Sequence, residues 1–463
     1  MREIRQFYDE RAKYRPREIR RYYHELIKRY YKFFIPEGVK ALEFGCGIGD
    51  LLASLNPSKG VGVDISEEMI KLARARHPEI EYHVSDALEY KTHEKFDYIL
   101  ASDLINDLRD VEEFFHKLHE FATPRTRLVI NFYNNLWKPV LRLAEILGLK
   151  SPTPPQNWLS VQDVENLLYL AGWEVIQVET KILLPVKIPV ISNLINRWVA
   201  PFLRNFCLTI FIIARPRPDF SKREEFTCSV VIPCRNEAGN IEQAVLDLPA
   251  LGKSMEIIFV EGGSTDNTWE EIQRVKEKYK DRNIIALKQS GIGKANAVRD
   301  GFKAASGEFL IILDADLTVH PQDLMKFYRA RSTGAGEFIN GVRLVYPMEK
   351  EAMQFLNMIA NKFFGLTFSW LLGQPIKDTL CGTKALLKSD YLNIEKNRSY
   401  FGEFDPFGDF DLLFGAKKMN LKIVDMPIRY RSRTYGSTNI RRWRHGWMLL
   451  KMVLFAAKRL KFI

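Results

Sequence analysis

The sequence is poor in several features that would place it in a familiar class. It has five cysteines in 463 residues, Cys46, Cys207, Cys228, Cys234 and Cys381, with no C-x-x-C pair. A disulfide framework or a cysteine zinc site is therefore not expected, and a reducing compartment is. The eight histidines include no H-E-x-x-H, and His116 and His119, three apart, lack a third ligand and read as ordinary helix residues. No apolar run reaches the roughly 18 residues of a spanning helix. The nearest candidates are interrupted by Arg197, Arg204 and Asn205, and by Lys451 and Lys458. Charge follows Met1 directly, so no signal peptide is expected. No internal repeat is visible. Acid is missing from one end: Tyr430 to Ile463 holds no Asp or Glu, while Arg429, Arg431, Arg433, Arg441, Arg442, Arg444, Lys451, Lys458, Arg459 and Lys461 crowd there.

What is present describes a folded chain. Hydrophobic residues make up 46% and charged residues 27%, the balance of globular protein. The length suits about two to four domains. A net charge of +11 suggests nucleic acid, an anionic membrane or phosphorylated substrates as partners, and the basic end carries nearly all of that excess.

Residues 2–35 read as one helix with Tyr and Phe among Arg and Lys. Strand patterns follow at Ala41–Phe44, to Asp64, and at Tyr82–Ser85, Tyr98–Ala101, Arg127–Phe132, Trp173–Thr180 and Leu208–Ala214. Strands alternating with helices predict a parallel α/β sheet. Arg215 to Glu225 is rich in Pro and charge and reads as a linker. The pattern then restarts with strands at Cys228–Ile232, Glu256–Val260, Ile284–Ala286 and Phe309–Leu313. The expected organisation is two consecutive α/β domains, 1–216 and 227–440, joined by a linker at 217–226, with a basic amphipathic tail at 441–463.

In the first half, Glu43-Phe44-Gly45-Cys46-Gly47-Ile48-Gly49 runs from a strand into a helix, and Asp64 ends the next strand. Glycines there let a ligand approach the backbone, and the acid suits ribose hydroxyls. The dinucleotide pattern needs glycine at position 50, which is Asp50. A pyrophosphate would meet that carboxylate and Glu43, so a cofactor with a positive centre and no phosphate fits better. This run, with Asp64 and Asp86 after successive strands, resembles the class I S-adenosylmethionine-dependent methyltransferases over residues 38–216. The resemblance implies a Rossmann-like, seven-stranded doubly wound sheet. It places Gly45, Gly47 and Gly49 beneath the methionine part, Asp64 at the ribose, Asp86 at the adenine, and Ser102 and Asp103 near the methyl. Asn/Asp-Pro-Pro-Tyr is replaced by Ser102-Asp103-Leu104-Ile105, which favours a hydroxyl or carbon acceptor over a base amine. Leu183–Phe206 either lines an acceptor pocket or packs in the core.

In the second half, Asp314-Ala315-Asp316 follows an apolar strand. Two carboxylates so spaced can address one divalent cation, directly or through water, and a cation there neutralises a diphosphate leaving group. Val230 to Glu237, Val260 to Thr268 and Gly291-Ile292-Gly293-Lys294 accompany it. Together these resemble family 2 glycosyltransferases of the GT-A fold over about residues 227–445, most like the dolichyl-phosphate mannosyltransferase group. Asp378 to Gly382, Asp411, and Tyr430, Arg433, Gly436 and Thr438 extend the likeness. The resemblance implies that Pro233, Arg235, Glu237, Val260, Glu261, Lys294 and Ala315 line the nucleotide-sugar site. It also implies that Asp314 and Asp316 bind Mg²⁺ or Mn²⁺ and that Arg343 and Arg433 meet phosphates. Arg235, Gly262, Thr318 and Asn439 depart from the group's usual aromatic, Asp, Gln and Lys.

Inversion at the anomeric carbon onto a lipid phosphate needs little help from a base; onto a hydroxyl it needs Asp411 or Asp409, which could instead cap a helix. The tail, with Trp443 and Trp447, reads as a helix lying in a membrane interface. The expectation is a bifunctional enzyme, peripheral on the cytoplasmic membrane face, moving a sugar to a lipid phosphate or membrane-linked glycan and methylating something in the same pathway. The alternatives are a glycosyltransferase whose first half only binds cofactor, and a nucleic-acid methyltransferase with a basic tail.

Overall fold

The structure, a computed structural model, describes residues 2–13, 18–148, 150, 152–343, 345, 355–398, 409–431, 433, 435 and 442–463. The chain forms two compact units, one of Met1–Arg217 with Lys461–Ile463 and the other of Pro218–Leu460.

The first unit holds strands β1 (Lys40–Phe44), β2 (Lys59–Asp64), β3 (Glu81–Val84), β4 (Phe96–Ser102), β5 (Ala122–Tyr133), β6 (Trp173–Lys181) and β7 (Thr209–Pro216). They form one sheet in the order β3-β2-β1-β4-β5-β7-β6. The first five run parallel, while β7 is antiparallel to both β5 and β6. The parallel α/β sheet expected from the alternation is present in those five strands, and β7, which enters between its neighbours from the opposite end, makes the seven-stranded sheet mixed. Over most of their length the inner strands β1, β2, β4 and β7 are buried on both faces and read as largely apolar runs. Their core gathers Phe44, Phe96, Phe114, Phe121, Phe132 and Trp173, and Trp173 Nε1 donates to Phe115 O at 2.9 Å.

The single helix expected over residues 2–35 is two, Arg2–Ala12 and Glu18–Phe34. Pro16 falls between them, and proline and the residue before it both resist helix. The second helix buries Tyr23, Leu26, Ile27, Tyr30, Tyr31 and Phe34.

The second unit holds β8 (Thr227–Cys234), β9 (Ser254–Glu261), β10 (Asn283–Lys288), β11 (Phe309–Ile312), β12 (Phe338–Val342), β13 (Lys384–Leu387) and β14 (Ile423–Pro427). Their order is β10-β9-β8-β11-β13-β12-β14. The first four are parallel; β13 is antiparallel to β11 and β12. Both units are therefore α/β with mixed sheets. Within the segment expected as a linker, the Arg217 N–H bonds Gly172 O at 2.8 Å and the Glu224 N–H bonds Ser332 O at 2.8 Å.

The basic tail contains a helix, Arg442–Leu460, that packs against helix Phe355–Leu372. Leu449, Met452, Val453, Ala456, Ala457 and Leu460 are buried. Its apolar side is thus covered by protein, and Trp447 and Leu454 are the large apolar residues it exposes among those described. Among the described residues no helix is long and apolar enough to cross a membrane.

Candidate functional sites

In open α/β sheets ligands bind beyond the carboxyl ends of parallel strands. In each unit several of the expected residues lie at such strand ends.

In the first unit, β1 carries Glu43 into the turn Gly45–Gly49. The three glycines have φ of 69°, 52° and 77°, left-handed values that cost other residues energy. A Cβ on Gly49 would also strike the Tyr82 hydroxyl. Asp64 clamps the turn: Oδ2 accepts the Gly47 N–H at 2.8 Å and Oδ1 the Ser66 N–H at 2.9 Å. Burial pushes the Asp64 carboxyl up, against the pull of these N–H groups. Ser66 then caps helix Glu67–Arg76 by accepting the Met69 N–H. Asp50 is turned to His77 at 2.9 Å, Arg76 and Lys28. Asp86, past β3, accepts the Leu88 N–H at 3.0 Å.

Glu43 is 2% exposed, and its Oε2 is buried with no hydrogen-bond partner. Burial pushes this carboxyl well above the usual range. An orphaned acceptor beside a left-handed glycine turn fits a ligand with a cationic or N–H-bearing centre, such as S-adenosylmethionine.

Ser102 ends β4. Asp103, with φ of 56°, accepts Tyr23 Oη at 3.0 Å and Asn131 Nδ2 at 2.5 Å, and Asn131 Oδ1 accepts Tyr31 Oη at 2.9 Å. The helix Arg2–Ala12 reaches the same edge: Asp9 accepts Ser66 Oγ at 2.6 Å, and Tyr8 Oη donates to Asp107. Sequence reasoning missed Tyr8, Asp9, Tyr23 and Asn131. The one signal for them was the unusual density of tyrosine in the first helices.

In the second unit, β8, β9 and β11 end side by side. Pro233 and Val260 are register partners on β8 and β9. Glu261 accepts the Ser264 N–H at 2.5 Å, Asn236 donates its N–H to Ser264 Oγ at 3.0 Å, and the Glu237 N–H reaches Thr268 Oγ1 at 3.0 Å. This lattice fixes Glu237, while Arg235 is exposed. Beyond β11, Asp314 pairs with Lys294 Nζ at 2.5 Å. Ala315 is buried. Asp316 accepts Thr318 Oγ1 at 2.8 Å and Arg433 Nη2 at 2.8 Å. The other arm of Arg433 reaches Glu237 at 3.1 Å. An isolated bridge between Val319 and Tyr430 brings the Arg433 segment alongside.

Each carboxylate of the D-x-D pair therefore faces a cation. For Asp314, burial opposes ionisation, but Lys294 holds the carboxyl below its usual range. Burial pushes Glu237 up to about 7, against the pull of Arg433 and Asn240. Among the described residues no three His, Cys, Asp or Glu side chains converge as a ready-made metal cage. The donors present at this strand end, Asp314 and Asp316, are of the kind a Mg²⁺-type ion takes, one or two carboxylates with substrate phosphates and water completing the shell.

Gly382 abuts this pair: a Cβ there would overlap both Lys294 Nζ and the Asp314 carboxylate. Arg343 is gripped by fully buried Asp378 through Nε at 2.7 Å and Nη2 at 2.9 Å. Burial opposes the Asp378 charge, but Arg343 keeps the carboxyl below its usual range.

Asp411 is not in this group. It pairs with Arg398 at 3.3 Å and lines a separate, mostly apolar cavity with Val298, Tyr391 and Ile394. Asp409 opens helix Asp409–Lys418, with its side chain outside the described residues, as are Gly436, Thr438, Asn439 and Arg441.

Residues 229–393 match the family profile "Glycosyl transferase family 2" and residues 11–178 the profile "Methyltransferase domain". A dolichol-phosphate mannosyltransferase of Pyrococcus furiosus is 31% identical over 221 residues, 46% of this chain and 59% of that protein. A dolichyl-phosphate beta-glucosyltransferase of Saccharomyces cerevisiae is 29% identical over 244 residues, 47% of this chain and 72% of that protein. A solved SAM-dependent methyltransferase of Thermotoga maritima, described as a possible histamine N-methyltransferase, shares 17% identity over 43% of this chain and 92% of its own, with a TM-score of 0.35. The chain thus joins a methyltransferase domain to a glycosyltransferase family 2 domain.

Proposed function

We propose that the second unit transfers a sugar, with inversion, from a nucleotide-sugar donor to a polyprenyl phosphate of the dolichyl type, and that the first methylates a small molecule or glycan of the same pathway. The observation that carries the sugar-transfer reading is the alternation Lys294–Asp314 and Arg433–Asp316 at the end of β11. Paired opposite charges at one edge suit a ligand that is itself a cation–diphosphate pair. When bound, a divalent cation supplies neutralisation of the departing diphosphate. The chain's part is to present Asp314 and Asp316 to the cation, and Lys294 and Arg433 to phosphate oxygens. Arg343, fixed by Asp378, adds positive charge beside Asp314. Pro233, Val260 and Glu261 would frame the nucleotide.

The acceptor class follows the two relatives, whose names specify dolichol or dolichyl phosphate. It also suits the ion pairing of Asp411, since a phosphate nucleophile is already ionised and requires no base. For the first unit, the unpartnered Glu43 oxygen and the clamped glycine turn support S-adenosylmethionine as cofactor.

Nucleoside-diphosphate release across a panel of nucleotide sugars, with Mg²⁺ or Mn²⁺ and with or without a short polyprenyl phosphate, tests the first half of the proposal. Lipid-dependent release supports it; release unaffected by the lipid or by metal chelation contradicts it. Calorimetry with S-adenosylmethionine tests the second half, and an absence of heat at millimolar cofactor would remove that half.

A further inference from the structure

The first unit carries an apolar face that its own fold leaves uncovered. Helix Lys138–Ile146 buries none of its residues. Leu136, Val140, Leu143 and Leu147 repeat at helical spacing on one side and are 50–63% exposed, with Ile146 beside them at 75%. Such a stripe on a helix in a globular unit normally faces a core; here it faces outward. A second segment does the same. Ile191 and Leu194 in a short helical turn, Trp198 in the π-helical stretch Ile195–Val199 and Phe202 just beyond it are 47–69% exposed, flanked by Val190 and Phe206. Most of the large side chains of 188–206 thus point outward, so of the two readings of Leu183–Phe206, an acceptor pocket or core packing, this part does not follow the second.

The two segments are one surface. Trp137 Nε1 donates to Phe206 O at 2.8 Å, and Asn134 Nδ2 donates to Asn205 O at 2.9 Å. Polar anchors hold the second segment in shape: Asn196 Oδ1 accepts the N–H groups of Leu183 and Leu184, and Ser192 Oγ accepts the Ile188 N–H. The exposed side chains are therefore presented by a fixed scaffold.

Charge selects the occupant. From Thr180 to Pro218 the sequence holds no Asp or Glu, while Lys187, Arg197 and Arg204 lie within it. Lys138 and Arg142 stand on the exposed helix, whose one acid, Glu145, is paired with Lys150. Apolar side chains, a tryptophan and unopposed cations on one face match an anionic bilayer surface, which takes apolar groups below the headgroups and cations at them. A protein partner of this size would be expected to meet a rim of both signs.

We propose that this face of the methyltransferase unit, built from 136–147 and 187–206, docks on anionic lipid bilayers. The inference goes beyond the sugar-transfer reading and does not rest on it. It moves membrane contact from the C-terminal helix, whose apolar side is covered, to a surface in the other unit.

The test is co-sedimentation of the full chain with vesicles of phosphatidylglycerol and phosphatidylcholine, against phosphatidylcholine alone, at low salt and with no nucleotide sugar or lipid phosphate. The expected result is preferential binding to the anionic vesicles, weakened by salt. Trp198→Ser with Phe202→Ser should lower partitioning by about tenfold or more. Because both rings touch Phe462, Leu143→Ser with Ile146→Ser provides an independent variant with the same expected loss. Lys138→Glu with Arg142→Glu should erase the anionic preference. Trp447→Ser with Leu454→Ser should change nothing. Unaltered binding in both apolar variants, or loss in the Trp447 variant instead, overturns the proposal. So does a dimer in gel filtration that the apolar variants dissolve, which would assign the face to a second copy. Failure of the sugar-transfer reading would leave vesicle binding intact, so the two are separable.

Discussion

Replacing Asp316 by Asn separates a structural role from a chemical one. Asp316 Oδ1 accepts Thr318 Oγ1 and N–H, and Oδ2 accepts Arg433 Nη2 at 2.8 Å. Asparagine can keep the Thr318 contacts through its carbonyl. Arg433 keeps Glu237 at 3.1 Å. Both partners of the lost ion pair are partly exposed, at 18% and 26%, and such pairs contribute about 0–1 kcal/mol. Stability should therefore change by less than about 1 kcal/mol. Removing a carboxylate that would hold the divalent cation against the departing diphosphate should cost far more, about 10²–10³ in turnover or about 3–4 kcal/mol by the scale of a lost transition-state contact. The assay is nucleoside-diphosphate release with saturating Mg²⁺, beside a denaturant titration of the same protein. Turnover within twofold of the parent, or full parent activity in chelator, would refute the reasoning. Loss of activity together with a collapsed unfolding transition would make Asp316 structural.

Three further expectations follow from the same geometry. Glu43→Gln should weaken S-adenosylmethionine binding about tenfold in calorimetry, by the scale of a charged hydrogen bond, while leaving stability equal or raised, because the native carboxyl is buried without a partner for Oε2. Gly382→Ala should push Lys294 from Asp314, at an overpacking cost of about 1–3 kcal/mol, and lower donor affinity with an unchanged circular dichroism spectrum. For Glu237, raised from 4.5 to about 7, the stability it contributes is complete below pH 4.5 and is lost as pH rises through about 7; Glu237→Gln should flatten that part of the unfolding-versus-pH curve.

Several of the parallel strands that carry the sites were legible because they are apolar runs ending at a glycine or acid. Phe44 before Gly45, Asp64 after Val63, and Leu313 before Asp314 all read directly. The strands β12, β13 and β14 were not. They are four or five residues long, and β12 and β13 are buried on both faces, so neither alternation nor length marks them as strands. Their pairing, with β13 antiparallel between β11 and β12, is decided by tertiary contacts. Site membership was legible as residue types and not as partners. Lys294 stood in a glycine turn, yet nothing in the sequence said that it meets Asp314, or that Arg433 bridges Asp316 and Glu237 across a large sequence gap. In the basic tail, composition pointed to a membrane-lying helix, while the burial of Leu449, Met452, Val453, Ala456, Ala457 and Leu460 beside an apolar partner helix is a tertiary contact that composition cannot locate.

The central claim is tested most directly by identifying the product. The full chain, Mg²⁺, a mixture of nucleotide sugars and a short polyprenyl phosphate are incubated, and the organic extract is weighed by mass spectrometry. The account predicts a new lipid species heavier than the acceptor by one sugar residue, absent with Asp316→Asn. An unmodified lipid alongside consumed donor would contradict it and move the acceptor from lipid phosphate to a hydroxyl, with Asp411 then the base to test.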